Sequence, residues 1–134
     1  MRTEVYIRIV NDEASIRMLD GLKVPGATVA QLRAPREGTG EMWWHWVTPP
    51  VALDSDNMDI GIRSLLHRYR VFFPELRKYK GDGADIDLEL VAFYEEDTRP
   101  EGLYLSSETI SLLNELGAAL DYDAVPAVFL NSKK

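Results

Sequence analysis

The sequence predicts an α+β fold: one ferredoxin-like two-layer domain over residues 1–134, with a mainly antiparallel or mixed four-stranded sheet. Helices cover one face, in the order β-α-β-α-β-α-β. Three observations predict it. Apolar and polar residues alternate along the strand-like stretches, which marks a sheet with one covered face. Stretches with leucine and isoleucine at helical spacing separate them. No strand reads as the continuous apolar run of a sheet buried on both faces, so a fully parallel doubly wound sheet fits less well.

The first strand places Val5, Ile7 and Ile9 opposite Glu4, Tyr6, Arg8 and Val10, a period of two with one strongly apolar face. Asn11 or Asp12 offers a side-chain oxygen to start a helix. Ile16, Leu19 and Leu22 carry the helical spacing, and Gly21 is expected to end the helix in the left-handed conformation. Residues 23–40 hold Pro25, Gly26, Pro35, Gly38 and Gly40. They read as a long irregular loop with room for one short extended piece. Met42 to Val47, Met-Trp-Trp-His-Trp-Val, suits a pleated surface and forms the second strand, ended by Pro49-Pro50. Asp54 to Asn57 is a polar hinge with good capping residues.

From Met58 the spacing turns helical. Ile62, Leu65, Leu66, Tyr69, Phe72 and Phe73 share one side, and Arg63, His67 and Arg70 share another. That basic row reads as a solvated helix face, or as a site for an acidic ligand. Pro74 opens a further helical turn with Leu76 and Tyr79, and Gly81 to Gly83 is a turn. Asp85 to Tyr94 is the clearest strand: Ile86, Leu88, Leu90, Ala92 and Tyr94 alternate with Asp87, Glu89, Val91 and Phe93. A charged loop, Glu95 to Glu101, follows. Ser106 or Ser107 caps the last helix, Glu108 sits where the helix dipole favours an anion, Ile110, Leu113 and Leu116 face the core, and Gly117 stops it. Leu120, Tyr122 and Ala124 then alternate with Asp121, Asp123 and Val125. Pro126 limits that strand, and residues 126–134 read as a partly flexible tail.

Composition narrows the function. The chain has no cysteine, which excludes disulfides, thiolate chemistry and cysteine-bound metal. Its amino terminus lacks the apolar run of a signal peptide, and nowhere do 18 apolar residues run together. A soluble cytoplasmic protein with no membrane partner is the expectation. The net charge of −7 is uneven: residues 1–80 balance to +2 and residues 81–134 to −9. Such a chain is a poor nucleic-acid ligand, because phosphate neutralisation supplies most of that affinity. The acidic part suits a basic partner, or simply keeps the protein in solution.

No residue pattern names a reaction. His45 and His67 stand in no metal-ligand spacing, and there is no phosphate-binding loop and no nucleophile elbow. The expectation is therefore no enzyme, no catalytic residues, no metal and no cofactor. What remains is one sheet face. If the third and fourth strands both flank the first, Asp87, Glu89, Asp121 and Asp123 share an open face with Glu4. Such a cluster could hold a cation or exchange protons. The plain reading is that these are the outward positions of a one-sided sheet. The tryptophan strand adds Trp43 and His45 to that face, either exposed or covered by the 23–40 loop. Beside Tyr6 and Phe93 they would form an aromatic patch with an acidic rim, the composition of a protein interface. The candidate partner-binding residues are Tyr6, Arg8, Trp43, His45, Asp87, Glu89, Phe93, Asp121 and Asp123.

From roughly Val5 to Val125 the chain resembles the bacterial family named domain of unknown function 4279. Gly21 and Pro25, the strand at Trp44 and Trp46, and Phe73-Pro74 carry part of the likeness. Leu105-Ser-Ser-Glu-Thr-Ile and Leu113-Asn-Glu-Leu-Gly-Ala-Ala-Leu-Asp-Tyr-Asp123 carry most of it. Where many relatives continue with an Ile-Tyr-like ending, this chain has Ala124-Val125-Pro126. The resemblance implies the fold but transfers no catalytic residue. It also implies, for small proteins of this kind, an immunity protein that neutralises a cognate basic toxin or effector. A small-molecule sensor or regulatory domain, and an enzyme using the sheet-face carboxylates, are the alternatives. Nothing in the pattern sets an oligomeric state.

Overall fold

The computed structural model describes residues 2–35, 40–54, 56–81, 84–95 and 102–127. At its centre is β1 (Arg2–Asn11). One flank of β1 pairs antiparallel with β5 (Asp85–Tyr94), from Arg2 opposite Phe93 to Val10 opposite Asp85. The other flank is shared. β3 (Met42–Val47) takes Arg8 to Asn11, and β4 (Val51–Leu53) takes Thr3 to Val5. β2 (Thr28–Pro35) pairs with the outside of β3, and β6 (Ala119–Pro126) pairs parallel with the outside of β5. The result is an α+β chain with a six-stranded, mostly antiparallel sheet in the order β2-β3-β1-β5-β6, β4 lying against β1.

The helical layer consists of α1 (Glu13–Asp20), α2 (Met58–Tyr69), the short α3 (Phe73–Leu76) and α4 (Ser107–Leu116). Val5, Ile7 and Ile9 are fully buried and join Ile86, Leu88 and Leu90 of β5 in one apolar cluster with Ile16, Ile62, Leu66 and Leu116 of the helices. Period two in the strands and the 3.6-residue repeat in the helices each supply one face of that cluster. The caps act locally. Asp12 accepts the Ser15 N–H at 2.7 Å, and Ser106 accepts the Thr109 N–H at 3.3 Å. Gly117, at φ 76°, closes α4: its N–H donates to Asn114 and that of Ala118 donates to Leu113, both at 3.0 Å.

Several expectations are corrected. Six strands replace four, because the 23–40 segment is not simply a loop: Thr28 to Pro35 extends the sheet in its own plane, with a bulge between Gln31 and Pro35. Residues 36–39 lie outside the described residues, as does the tail from residue 128. Val51 to Leu53, assigned to no element in the sequence, forms β4. β6 flanks β5, not β1, taking the outer edge of β5 in parallel after the crossover through α4. Gly21 is right-handed at φ −64°; α1 tightens into three-residue turns there, and Lys23 takes the positive φ of 60°. Ile110 is 54% exposed, since capping by Ser106 phases α4 so that Thr109, Leu112, Leu113 and Leu116 turn inward.

The switch from β3 to β4 along β1 rests on Thr48. Pro49 and Pro50 bring no N–H to a ladder. Thr48 donates its own N–H to the Ile7 carbonyl at 3.0 Å and accepts the Ile7 N–H on Oγ1 at 2.9 Å, with no exposure to solvent. Thr48→Val keeps the shape and strands the Ile7 donor. We expect it to lower the unfolding free energy by about 1–3 kcal/mol, and Thr48→Ser to recover most of that. Urea denaturation measures both; a Thr48→Val midpoint equal to wild type would show that the side-chain acceptor is dispensable.

Candidate functional site

The face of the sheet turned away from the helices carries every predicted site residue. Antiparallel register aligns them in rows across the strands. Tyr6, Glu89 and Asp121 form one row; Val47, Arg8 and Asp87 form the next; Val91 and Asp123 lie beside Glu4. Alternation along β3 puts Trp43 and His45 on the same face. Within the 23–40 segment, Thr28–Pro35 lies in the sheet beside β3.

The rows bring together some candidates and separate others. Tyr6, Arg8, Asp87, Glu89, Asp121 and Asp123 converge at the centre. Phe93 lies opposite Arg2 at one end of β1, whereas Trp43 lies past Asn11 at the other. Ten residues of strand span about 30 Å. The single aromatic patch expected from Trp43, Tyr6 and Phe93 is therefore not formed; the strand order places its members at opposite ends of the sheet. His45 lies closer in, in the row of Val10 and Asp85.

Glu89 is the unusual member. On a face free of helices it is only 2% exposed. Arg8 Nη2 approaches its Oε1 at 2.8 Å and Asp87 Oδ2 at 3.7 Å. The approach is misaligned, so Glu89 Oε1 and Arg8 Nε are both buried without a hydrogen-bond partner. One carboxylate oxygen from each of Glu89, Asp121 and Asp123 lies within 4.8 Å of the other two. Burial pushes the Glu89 carboxyl up to about 7; Arg8 opposes the shift, and Asp121, as neighbouring charge and hydrogen-bond partner, adds to it, as does Asp87. Asp87 is raised as well, chiefly by burial and against Arg8. The Tyr6 hydroxyl is raised by burial and then by Glu89. His45 is held below its ordinary value by burial and by Arg8.

Near neutral pH the centre therefore holds a Glu89 carboxyl close to its midpoint, beside Asp121 and Asp123 and facing one guanidinium. Chemically it can accept a further cationic group or exchange a proton. The three-carboxylate group has the composition of a divalent-cation site, but Arg8 already occupies the cationic position against Glu89. The basic row of α2 is committed elsewhere. Arg63 reaches Asp59 and Glu108 of α4 at 3.5 and 3.6 Å, His67 reaches Glu108 at 3.3 Å, and Arg70 reaches Glu115 at 2.8 Å. It ties two helices together instead of facing a ligand. The direct opposition of Glu89 and Asp121 was missed in sequence; it depends on β6 taking the outer edge of β5, which strand order alone decides.

Glu89 gives a signed pH dependence. Its carboxyl ionises near 4.5 when unfolded and near 7 when folded. The folded state thus binds the extra proton, and the associated stability is fully present below pH 4.5 and lost as pH rises to about 7. That amounts to on the order of 3 kcal/mol. His45, held low, acts in the opposite direction over part of the same range. The difference between wild type and Glu89→Gln isolates Glu89: the variant should lack the decline between pH 5 and 8. Urea midpoints across that range decide, and parallel profiles would remove Glu89 as the titrating group.

No family model and no curated protein matches this chain.

Proposed function

We propose that this protein is a binding module whose open sheet face receives a cationic segment of a partner protein at the centre formed by Glu89, Asp121 and Asp123. The observation that carries the reading is Glu89, a buried carboxyl on a helix-free face, surrounded by acids that Arg8 alone does not balance. Acids gathered on one surface steer a basic partner and speed its association. Tyr6 lies in the row of Glu89 and Asp121 and supplies apolar area beside the charge. The resemblance to the domain of unknown function 4279 family supports the finer form of this reading: a ferredoxin-like bacterial immunity protein, acting in the cytoplasm, whose partner is a basic toxin or effector.

One observation favours a second reading. Glu89 and Asp121 are near enough to share a proton, which is the requirement for an acid–base pair. An enzyme built on it would lose turnover in Asp121→Asn while keeping its ligand.

The test of the first reading is co-purification with the product of the adjacent upstream gene, followed by binding kinetics. Asp121 and Asp123 are not buried, so Asp121→Lys with Asp123→Lys should leave the fold intact. The association rate should fall by about ten-fold or more and lose most of its dependence on salt. Unchanged kinetics, or no partner and no protection on co-expression, would sink the proposal.

A further inference from the structure

A second surface lies outside the open face. β4 pairs with β1 along one edge only, and α2 packs beside it after the turn at Asp54 to Asn57. Between them runs a half-open groove of about 230 Å³. Its floor is apolar, from Val51, Leu53 and Leu65, and Ile60 stands at the rim with 55% of its surface exposed. Gly61 keeps the floor low, because a Cβ there would collide with the Leu53 side chain.

The groove has a direction. α2 follows β4 directly in the chain and its Gly61 lies against Leu53, so the helix folds back along the strand; Asp54 marks one end of the groove and Arg68, near the far end of α2, belongs to the other. Arg63, Arg70 and His67 are paired with acids of α2 or α4, whereas Arg68 makes no ion pair among the described residues. The length suits three or four extended residues: Val51 to Asp54 covers about 10 Å of strand, and Asn57 to Arg68 about 16 Å of helix.

The wall offered by β4 is a strand edge. Ile7 turns its N–H and C=O toward Thr48. By the same parity Thr3 and Val5 turn theirs toward Leu53 and Val51, which leaves the N–H and C=O of Ala52 pointing away from β1.

We propose that this groove docks the carboxyl-terminal residues of an extended peptide, which adds a strand antiparallel to β4 and places its terminal carboxylate on Arg68. Antiparallel addition puts the peptide's last residue at the Val51 end, where the cation is, and its earlier residues beside Asp54. A free carboxylate matches a guanidinium in geometry as well as charge. An apolar final side chain fills the floor, and Ala52 supplies the main-chain hydrogen bonds of strand addition. This surface is independent of the open-face reading and stands or falls without it.

The test uses the intact, ¹⁵N-labelled protein. The probe is a pool of tetrapeptides that begin with lysine and end in leucine, isoleucine, valine or phenylalanine as free acids. Amide shifts should concentrate at Ala52, Leu53, Ile60 and Ser64. Affinity for the best member should fall about ten-fold or more when its carboxylate is amidated, and by a similar factor in Arg68→Gln. Arg68 is exposed, so that variant should fold normally. Ala52→Pro, which removes only the outward N–H, should weaken the peptide further. No shifts with the pool at about 1 mM, or equal binding of acid and amide, would overturn the proposal. So would octanoate binding as tightly as the best peptide, which would reduce the site to a carboxylate and a tail. Shifts at the groove that follow protein concentration alone would assign it to a second copy and overturn it too.

Discussion

The paired hydrogen bonds between Thr48 and Ile7 hold the architecture in register. They sit where the chain must stop pairing as β3 and resume as β4, at a point where two prolines withhold their donors. A buried amide left open in the middle of a sheet costs more than most side-chain contacts return. By filling that position with a hydroxyl, the chain keeps β1 straight from Arg2 to Asn11 and β3 and β4 in line along its flank. The parity of β1 then sets the rest. Odd residues face the helices, even residues face outward, and no slip is available without moving Val5, Ile7 and Ile9 to the wrong side.

That parity divides the charges unequally. On the helical side each cation of α2 that turns toward α4 meets an acid, and Lys80 adds a bond to the carbonyl of Gly117 at 2.7 Å. Exposed pairs of this kind each contribute about 0–1 kcal/mol, so they orient α2 and α4 more than they stabilise them. Asp59 has a firmer role. Burial would raise its carboxyl, but hydrogen bonds from the Ser106 N–H and nearby hydroxyls, together with Arg63, hold it low, so it fixes the start of α4 as an anion. On the outward face the acids outnumber their partners. β5 and β6 carry Asp87, Glu89, Asp121 and Asp123 on that face, and Arg8 is in direct contact with Asp87 and Glu89.

Much of this was legible in the sequence, where one physical signal dominated. β1, β5 and β6 alternate cleanly, and the caps at Asp12, Ser106 and Gly117 act within four residues of themselves. Local chemistry therefore settled those elements. What escaped was set by distant partners. Thr28 to Pro35 alternates only weakly amid prolines and glycines and becomes a strand because β3 offers it an edge. Val51 to Leu53 is too short to show a period and becomes a strand because Thr48 delivers it to β1. The site shows the same division. Asp87, Glu89, Asp121 and Asp123 were placed on the outward face by alternation alone. Trp43 and Phe93 were wrongly joined, because their separation depends on strand order. The burial of Glu89 depends on Tyr6, Arg8 and Asp121 meeting across three strands, which no single stretch of sequence encodes.

Glu89 connects that geometry to function. A buried carboxyl that keeps its proton to about pH 7 makes the folded state less stable once the proton leaves. Natural proteins retain such local costs where a partner relieves them. A lysine or arginine placed beside Glu89 and Asp121 would displace the proton from Glu89, and in that low-dielectric setting its charge would count for more than at an open surface. Under the proposed function, the free energy that destabilises the folded state above neutral pH is the quantity a cationic partner would recover on docking. Binding should therefore expel a proton, and the sheet face should discriminate between a cationic and a neutral side chain at that one position. Under the proposed function the flanking acids would act mainly on the rate of encounter, because Asp123 is exposed and well screened. Discrimination by the buried Glu89 and steering by exposed acids would then fall to different residues, since the register of β1, β5 and β6 places Glu89 and Asp123 in adjacent rows.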